Sequence, residues 1–257
     1  MEIRQLSLFP EESGQAFSNT SPRKSKTTDQ STSTELPKEA KTTQPAAKKR
    51  SKPYIWVTWL SGLMAQEKQC QFTAWSLANY QFPKLPSDFD SSAHNNMVIQ
   101  QKMQHQAQGS AVYVENDNSF TINGKTCDIG GKPDIVVNDF GQIIIEDCKS
   151  GKQKIAHKYQ VLIYMLLFPL SPKGKALCQG QTPAGRLVYP DEIVEIPPLD
   201  VDKKFKDFFL QTVTIISGST PPPQAPSHWE CRYCNVPAAY CPARIELGAD
   251  TGEHDLF

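Results

Sequence analysis

The alternation of apolar and polar positions changes character several times along this 257-residue chain, and each change marks an element. Residues 10–52 carry one aromatic, Phe17, among Ser, Thr, Pro and Lys. Such a stretch cannot bury a core and reads as a disordered basic linker. As a flexible coil its ends would lie roughly 35–40 Å apart on average. From Tyr54 to Tyr80 aromatics become frequent, which predicts a leading helical segment carrying Cys70. Asp88 to Gln108 predicts a helix capped by Asp90 or Ser91, with His94 in its first turns. Val112 to Ile122 alternates around Asn116-Asp117-Asn118 and predicts a hairpin. A second hairpin joins Ile135-Val136-Val137 to Ile143–Ile145 through Asn138-Asp139-Phe140-Gly141. Ala156 to Phe168 predicts a helix ending near Pro169, Gly185 to Ile196 one or two strands, and Asp200 to Ile216 a further helix. Pro221-Pro222-Pro223 then lead into a cysteine cluster.

Charge changes the picture locally. The totals cancel, 27 Lys and Arg against 27 Asp and Glu. Residues 22–52, however, hold nine basic and three acidic side chains, a net +6, and residues 1–21 one basic and three acidic, a net −2, so residues 53–257 are left with a net −4. Any polyanion-binding groove in the folded part must therefore be local. No run of 18 apolar residues predicts a membrane span. Met1-Glu2-Ile3-Arg4 lacks the basic and apolar regions of a signal peptide. Seven cysteines, odd in number and partly clustered, argue for a metal site in a cytoplasmic chain rather than a disulfide framework.

The chemistry concentrates at Asp147-Cys148-Lys149. An acid-x-Lys triplet is expected about once or twice by chance in such a chain. Two others do occur, Glu39-Ala40-Lys41 in the linker and Asp202-Lys203-Lys204 at the start of an amphipathic helix. Only the copy at 147–149 follows an apolar strand, where residues two apart share a face. Asp134 lies thirteen residues upstream and supplies a second carboxylate. Two carboxylates offer hard oxygen ligands to Mg²⁺ or Mn²⁺, and an imidazole such as His94 tilts the preference toward Mn²⁺. The main-chain carbonyl of Cys148 is a further candidate ligand, while its thiol faces the core. Glu146 points away from Asp147 and reads as a salt-bridge partner. Gln160 and Tyr164, four apart on a helix, share a face and could hold a phosphate or orient Lys149.

Taken in order, these residues resemble the RecB-like exonuclease branch of the PD-(D/E)XK nuclease superfamily. His94 matches the histidine of its first motif, although Ser91-Ser92-Ala93 stand where the branch usually has a glycine. Gly131-Lys132-Pro133-Asp134 matches Gly-x-x-Asp, Asp147-Cys148-Lys149-Ser150-Gly151 matches Asp-x-Lys-x-Gly, and Gln160–Tyr164 matches Gln-x-x-x-Tyr. The resemblance implies an α/β fold with a central mixed β-sheet flanked by helices, spanning residues 53–245 before a C-terminal tail at 246–257. It also implies catalysis by Asp134, Asp147, Lys149, Gln160 and Tyr164, with the metal held by His94, Asp134, Asp147 and the Cys148 carbonyl.

Cys231-Arg232-Tyr233-Cys234 followed by Cys241 has the spacing of a metal site. The same branch includes nucleases with an iron–sulfur staple, one cysteine before the core and three after it, as in the CRISPR adaptation nuclease and the AddB nuclease domain. That likeness implies Cys70, Cys231, Cys234 and Cys241 around a [4Fe–4S] cluster. The alternative is a structural zinc on His228, Cys231, Cys234 and Cys241, without Cys70.

At the N-terminus, Gln5-Leu6-Ser7-Leu8-Phe9 resembles the peptide with which bacterial replication and repair proteins bind the sliding clamp. Leu6, Leu8 and Phe9 would be apolar anchors and Gln5 would set the polar register. The expectation is a cytoplasmic, nucleoid-associated bacterial DNA exonuclease acting on single-stranded ends or flaps. A helicase is a further candidate partner. The alternatives are a non-catalytic DNA- or clamp-binding module and a structure-specific endonuclease.

Overall fold

The computed structural model describes residues 47–83 and 90–246. Gln5, Leu6, Leu8 and Phe9, most of the linker and residues 247–257 lie outside the described residues. The remainder belongs to one compact unit that begins at Ala47.

Its centre is a mixed five-stranded sheet in the order β10-β9-β8-β7-β4. These strands are β4 (Ala111–Val114), β7 (Ile135–Asp139), β8 (Gln142–Cys148), β9 (Ala184–Val188) and β10 (Ile193–Ile196). β7 and β8 form the antiparallel hairpin foreseen from the sequence, with Asp139 opposite Gln142. Both turn residues have positive φ, Phe140 at 49° and Gly141 at 98°. That mirror-image turn matches the twist of the flanking strands. β8 runs parallel to β9. A parallel pair requires a crossover, which helices α4 (Ile155–Leu167) and α5 (Pro172–Cys178) supply.

The alternation of β8 sorts its side chains between two layers. Ile143 and Ile145 join Val161 and Met165 of α4 and Leu60 and Met64 of α1 (Val57–Met64) in the main core. Ile144 and Cys148 face the opposite layer, where they cluster with Val98 of α3 (Ser92–Ala107). α6 (Lys203–Ser217) closes the main core with Phe205, Phe209, Val213 and Ile216, its N-terminus capped by Asp202, which accepts from Phe205 N at 2.7 Å.

Several expectations are corrected. The segment 54–80 is not one helical run. It opens with β2 (Tyr54–Trp56), passes through α1, breaks over the polar residues Gln66–Gln69 and resumes as α2 (Gln71–Asn79). Cys70 therefore stands just ahead of α2. Val112–Ile122 is not a hairpin either. β4 joins the central sheet, whereas β5 (Phe120–Asn123) pairs with β6 (Asp128–Gly131) in a separate three-stranded sheet, β2-β6-β5. The tight turn at Glu115–Asn118 sends the chain out of the first sheet, and buried Asn118 holds that turn by donating to Tyr113 O at 2.8 Å. β6 is short and glycine-rich, and α5 contains both Pro and Gly, so neither gave a periodic signal. α3 begins at Ser92 with Ser91 at its N-cap position, one of the two caps expected; Asp90 Oδ1 accepts from Ser92 N at 2.8 Å, and Asp88 lies outside the described residues. Lys48–Lys49 forms β1, paired with β3 (Tyr80–Gln81), so the linker's last residues belong to the folded unit. α7 (His228–Arg232) carries the first cysteine of the C-terminal cluster.

Candidate active site

The hairpin β7–β8 brings Asp134, just ahead of β7, beside Asp147 near the end of β8. Asp134 Oδ2 accepts from Cys148 N at 2.8 Å, which locks the two strand ends together. Two further bonds fix the approach to Asp134. Its own carbonyl accepts from Glu115 N at 2.8 Å, and Asn118 Nδ2 donates to Pro133 O at 3.4 Å.

Asp147 is almost completely buried. Its Oδ1 accepts from Gln160 Nε2 at 2.9 Å, and its Oδ2 lies 2.5 Å from Lys149 Nζ. Lys149 Nζ also donates to Gln160 Oε1 at 3.2 Å. One amide on α4 thus holds both members of the strand motif. Gln160 Nε2 is in turn 3.2 Å from the Tyr164 hydroxyl, which donates to Lys132 O at 3.2 Å. Tyr164 touches Gln160 and the Lys132-Pro133-Asp134 loop.

His94 reaches the same place from the other layer. Its Nδ1 lies 3.1 Å from Cys148 O. A carbonyl can only accept, so that contact makes Nδ1 the donor and turns Nε2 toward the carboxylates. Nε2 is 3.6 Å from Asp134 Oδ1. The Cys148 thiol points into the opposite core, and burial raises its pKa far above the usual thiol range.

Two carboxylates sharing a buried site resist ionisation. Burial first, and the charge of Asp147 second, push Asp134 up to about 7, against the opposing pull of His94, Cys148 N and Lys149. Burial likewise raises Asp147, although Lys149 lowers it. Among the described residues Asp147 Oδ2 accepts no hydrogen bond of ordinary geometry, and Lys149 is its ion-pair partner. Such a donor set, short of positive charge and offering carboxylate oxygens, a carbonyl and an imidazole lone pair, fits a hard divalent cation. As the side chains stand, no three His, Cys, Asp or Glu groups among the described residues enclose a single point at ligand distance.

Two residues at this site were not singled out in the sequence. His157 lies one turn before Gln160 on α4, and its Nδ1 is 3.0 Å from the Tyr189 hydroxyl. Burial, and then the charge of Lys149, lower its pKa to about 4, so it is neutral at neutral pH. Its i, i+3 spacing from Gln160 was the available signal.

Four cysteines of the chain line a second place, away from the carboxylates. Cys70, Cys231, Cys234 and Cys241 line one small cavity together with Thr73 and Arg244. Burial raises the Cys241 thiol, and the neighbouring thiols of Cys70, Cys234 and Cys231 raise it further. His228 is not among the residues lining that cavity. The C-terminal segment is held there by other bonds as well. The Glu230 carboxylate accepts from Gln69 N at 2.8 Å and Cys70 N at 3.3 Å, and the Tyr240 hydroxyl accepts from Ala47 N at 2.8 Å.

No curated protein matches this sequence. Among solved structures the chain is similar to one described as the crystal structure of SSO0001, with 22% identity, 77% of this chain and 89% of that chain covered, and a TM-score of 0.36. The model of the PD-(D/E)XK nuclease superfamily matches residues 24–242. That match spans most of the chain and every residue of the carboxylate–lysine site, and the chain belongs to the PD-(D/E)XK nuclease superfamily.

Proposed function

We propose that this chain is a metal-dependent DNA exonuclease of the RecB-like branch, acting on single-stranded ends or flaps. The observation that supports this most is the double grip of Gln160 on Asp147 and Lys149 at the mouth of the β7–β8 hairpin. Asp134, Asp147, His94 and the Cys148 carbonyl would hold Mg²⁺ or Mn²⁺. When bound, the cation supplies a water of lowered pKa and offsets charge on the phosphate. Lys149 Nζ, freed from part of its pairing with Asp147, positions the attacking water and stabilises the negative charge that develops on the phosphate. Gln160 keeps the lysine within reach of that water. Tyr164 holds Gln160 in place through its hydroxyl, and burial keeps that phenol protonated.

The convergence of Cys70 with Cys231, Cys234 and Cys241 supports a [4Fe–4S] staple over a zinc site built on His228. Such a cluster would tie the C-terminal segment to the start of α2. The peptide Gln5-Leu6-Ser7-Leu8-Phe9 would dock on a sliding clamp and raise the local nuclease concentration on DNA. Any unwinding would come from a separate helicase. The setting is the bacterial cytoplasm, at the nucleoid.

The test is degradation of end-labelled single-stranded, duplex and flap DNA with Mg²⁺ or Mn²⁺. Terminal products from single-stranded or flap DNA are expected. Internal cuts in circular single-stranded DNA would instead make it an endonuclease, and binding without cleavage a non-catalytic module.

A further inference from the structure

Glu146 stands between Ile145 and Asp147 on β8 and is fully buried on the face turned toward α3. Its Oε1 accepts from His105 Nε2 at 2.9 Å and from Arg186 Nη1 at 2.7 Å, while Oε2 has no hydrogen-bond partner among the described residues. Arg186 sits opposite Glu146 on β9, and Glu195 sits opposite Arg186 on β10. Arg186 Nε donates to Glu195 Oε1 at 2.8 Å. A ladder of alternating charge therefore crosses three neighbouring strands and ends on α3.

Burying a carboxylate is costly even when it is paired, and an apolar residue of similar size is often at least as stable. Stability is thus a weak reason for Glu146 to be here. The composition of α3 points to another. Of its sixteen residues only Val98 and His105 are buried, while Ile99 and Met103 are 54% and 64% exposed. The apolar contact at Val98 and its half-buried neighbour Met97, against Ile135, Val137, Ile144, Cys148 and Val188, fixes the helix at one place along its length. One point does not fix tilt. His105, three turns beyond His94, supplies the second, and it is held by a hydrogen bond to a carboxylate in a site from which water is excluded.

His94 is what depends on that tilt, through its contacts to Cys148 O and Asp134. We propose that Glu146 and His105 are positioning residues: their buried pair sets the angle of α3 on the sheet and so holds His94 Nε2 against the two carboxylates for divalent-cation binding. The inference rests on the metal-dependent reading of the site. Neither residue touches cation or substrate, and both act through the placing of His94; groups that hydrogen-bond a metal ligand directly are worth about 10–100-fold in affinity, which sets the scale.

The test uses the full chain and Mn²⁺ alone, without DNA, titrated by loss of the free-ion magnetic resonance signal. His105→Leu is expected to weaken Mn²⁺ binding about tenfold or more. His105→Gln, whose amide can still donate to Glu146, is expected to stay within about threefold of the parent. In a His94→Ala background His105→Leu should have no further effect, because coupled residues are not additive. Should His105→Leu fail to fold, His105→Asn, too short to reach Glu146, replaces it. Unchanged Mn²⁺ affinity in the folded variant, or an equal loss with and without His94, overturns the proposal. A parent chain that binds no Mn²⁺ overturns the metal-dependent reading and the proposal together.

Discussion

The ring of Tyr164 packs so closely on Gly131 that a Cβ added there would lie 2.9 Å from Tyr164 Cε1 and 2.5 Å from Phe120 Cζ. Gly131 opens the loop that ends in Asp134, and Tyr164 supports the Gln160 amide. Two stretches more than thirty residues apart thus meet through the absence of a side chain. Gly131→Ala should push Tyr164 aside and loosen Gln160 from Asp147. The expected result is a fall in kcat of about tenfold or more with folding retained, read by single-turnover cleavage beside far-ultraviolet circular dichroism. Parent-like kcat would show that Tyr164 does not hold the site.

Lys149→Ala removes the cation paired with buried Asp147 Oδ2. Cleavage should fall by about a hundred- to a thousandfold, while Mn²⁺ binding without DNA is kept. Losing an oriented, charge-stabilising donor costs rates of this order. Residual cleavage within tenfold of the parent would defeat the assignment of Lys149.

The Asp134 carboxyl, pushed up to about 7, makes the cation-free protein sensitive to pH. The folded chain holds this proton more tightly than the unfolded chain, whose carboxyl titrates near 3.8. Its contribution to stability is therefore fully present below about pH 4 and is lost as pH rises through about 7. Cation binding has the opposite sign, because the ligand is the carboxylate and the proton must leave. Chelator-treated protein should melt at higher temperature at pH 6 than at pH 8, as far as this group governs, and Mn²⁺ affinity should rise over the same interval. Asp134→Asn should abolish the Asp134 part of both trends.

The cysteine cavity separates its two candidate cofactors by mutation. With the proposed iron–sulfur cluster in that cavity, the parent should be coloured and contain iron, and Cys70→Ser should lose both and melt at a lower temperature. His228→Ala should keep both, since His228 does not line the cavity. Zinc bound without iron in the parent would replace the cluster with a structural zinc, and unchanged metal content in Cys70→Ser would exclude Cys70 from the site.

Local signals carried far along this chain. The 3.6-residue period at Ala156–Phe168 found α4, and the turn residues after Val137 found the β7–β8 hairpin. Because both signals depend only on neighbouring residues, they survive without knowledge of the rest of the fold. The period of two on β8 also placed Asp147 opposite Glu146 and Cys148, which the two cores reproduce. Tertiary structure decided what long-range pairing decides. Val112–Ile122 alternates equally well whether its halves pair with each other or with different sheets, and only the partners β6 and β7 settle it. The bond from Gln160 to Asp147, the neutrality of His157 and the pair of Glu146 with His105 are likewise invisible in sequence, because each joins elements that only packing brings together. The sequence by itself placed this protein in its superfamily, because the motifs are local; the packing of α3 and α4 on opposite faces of β8 decided which side chains meet around Asp147.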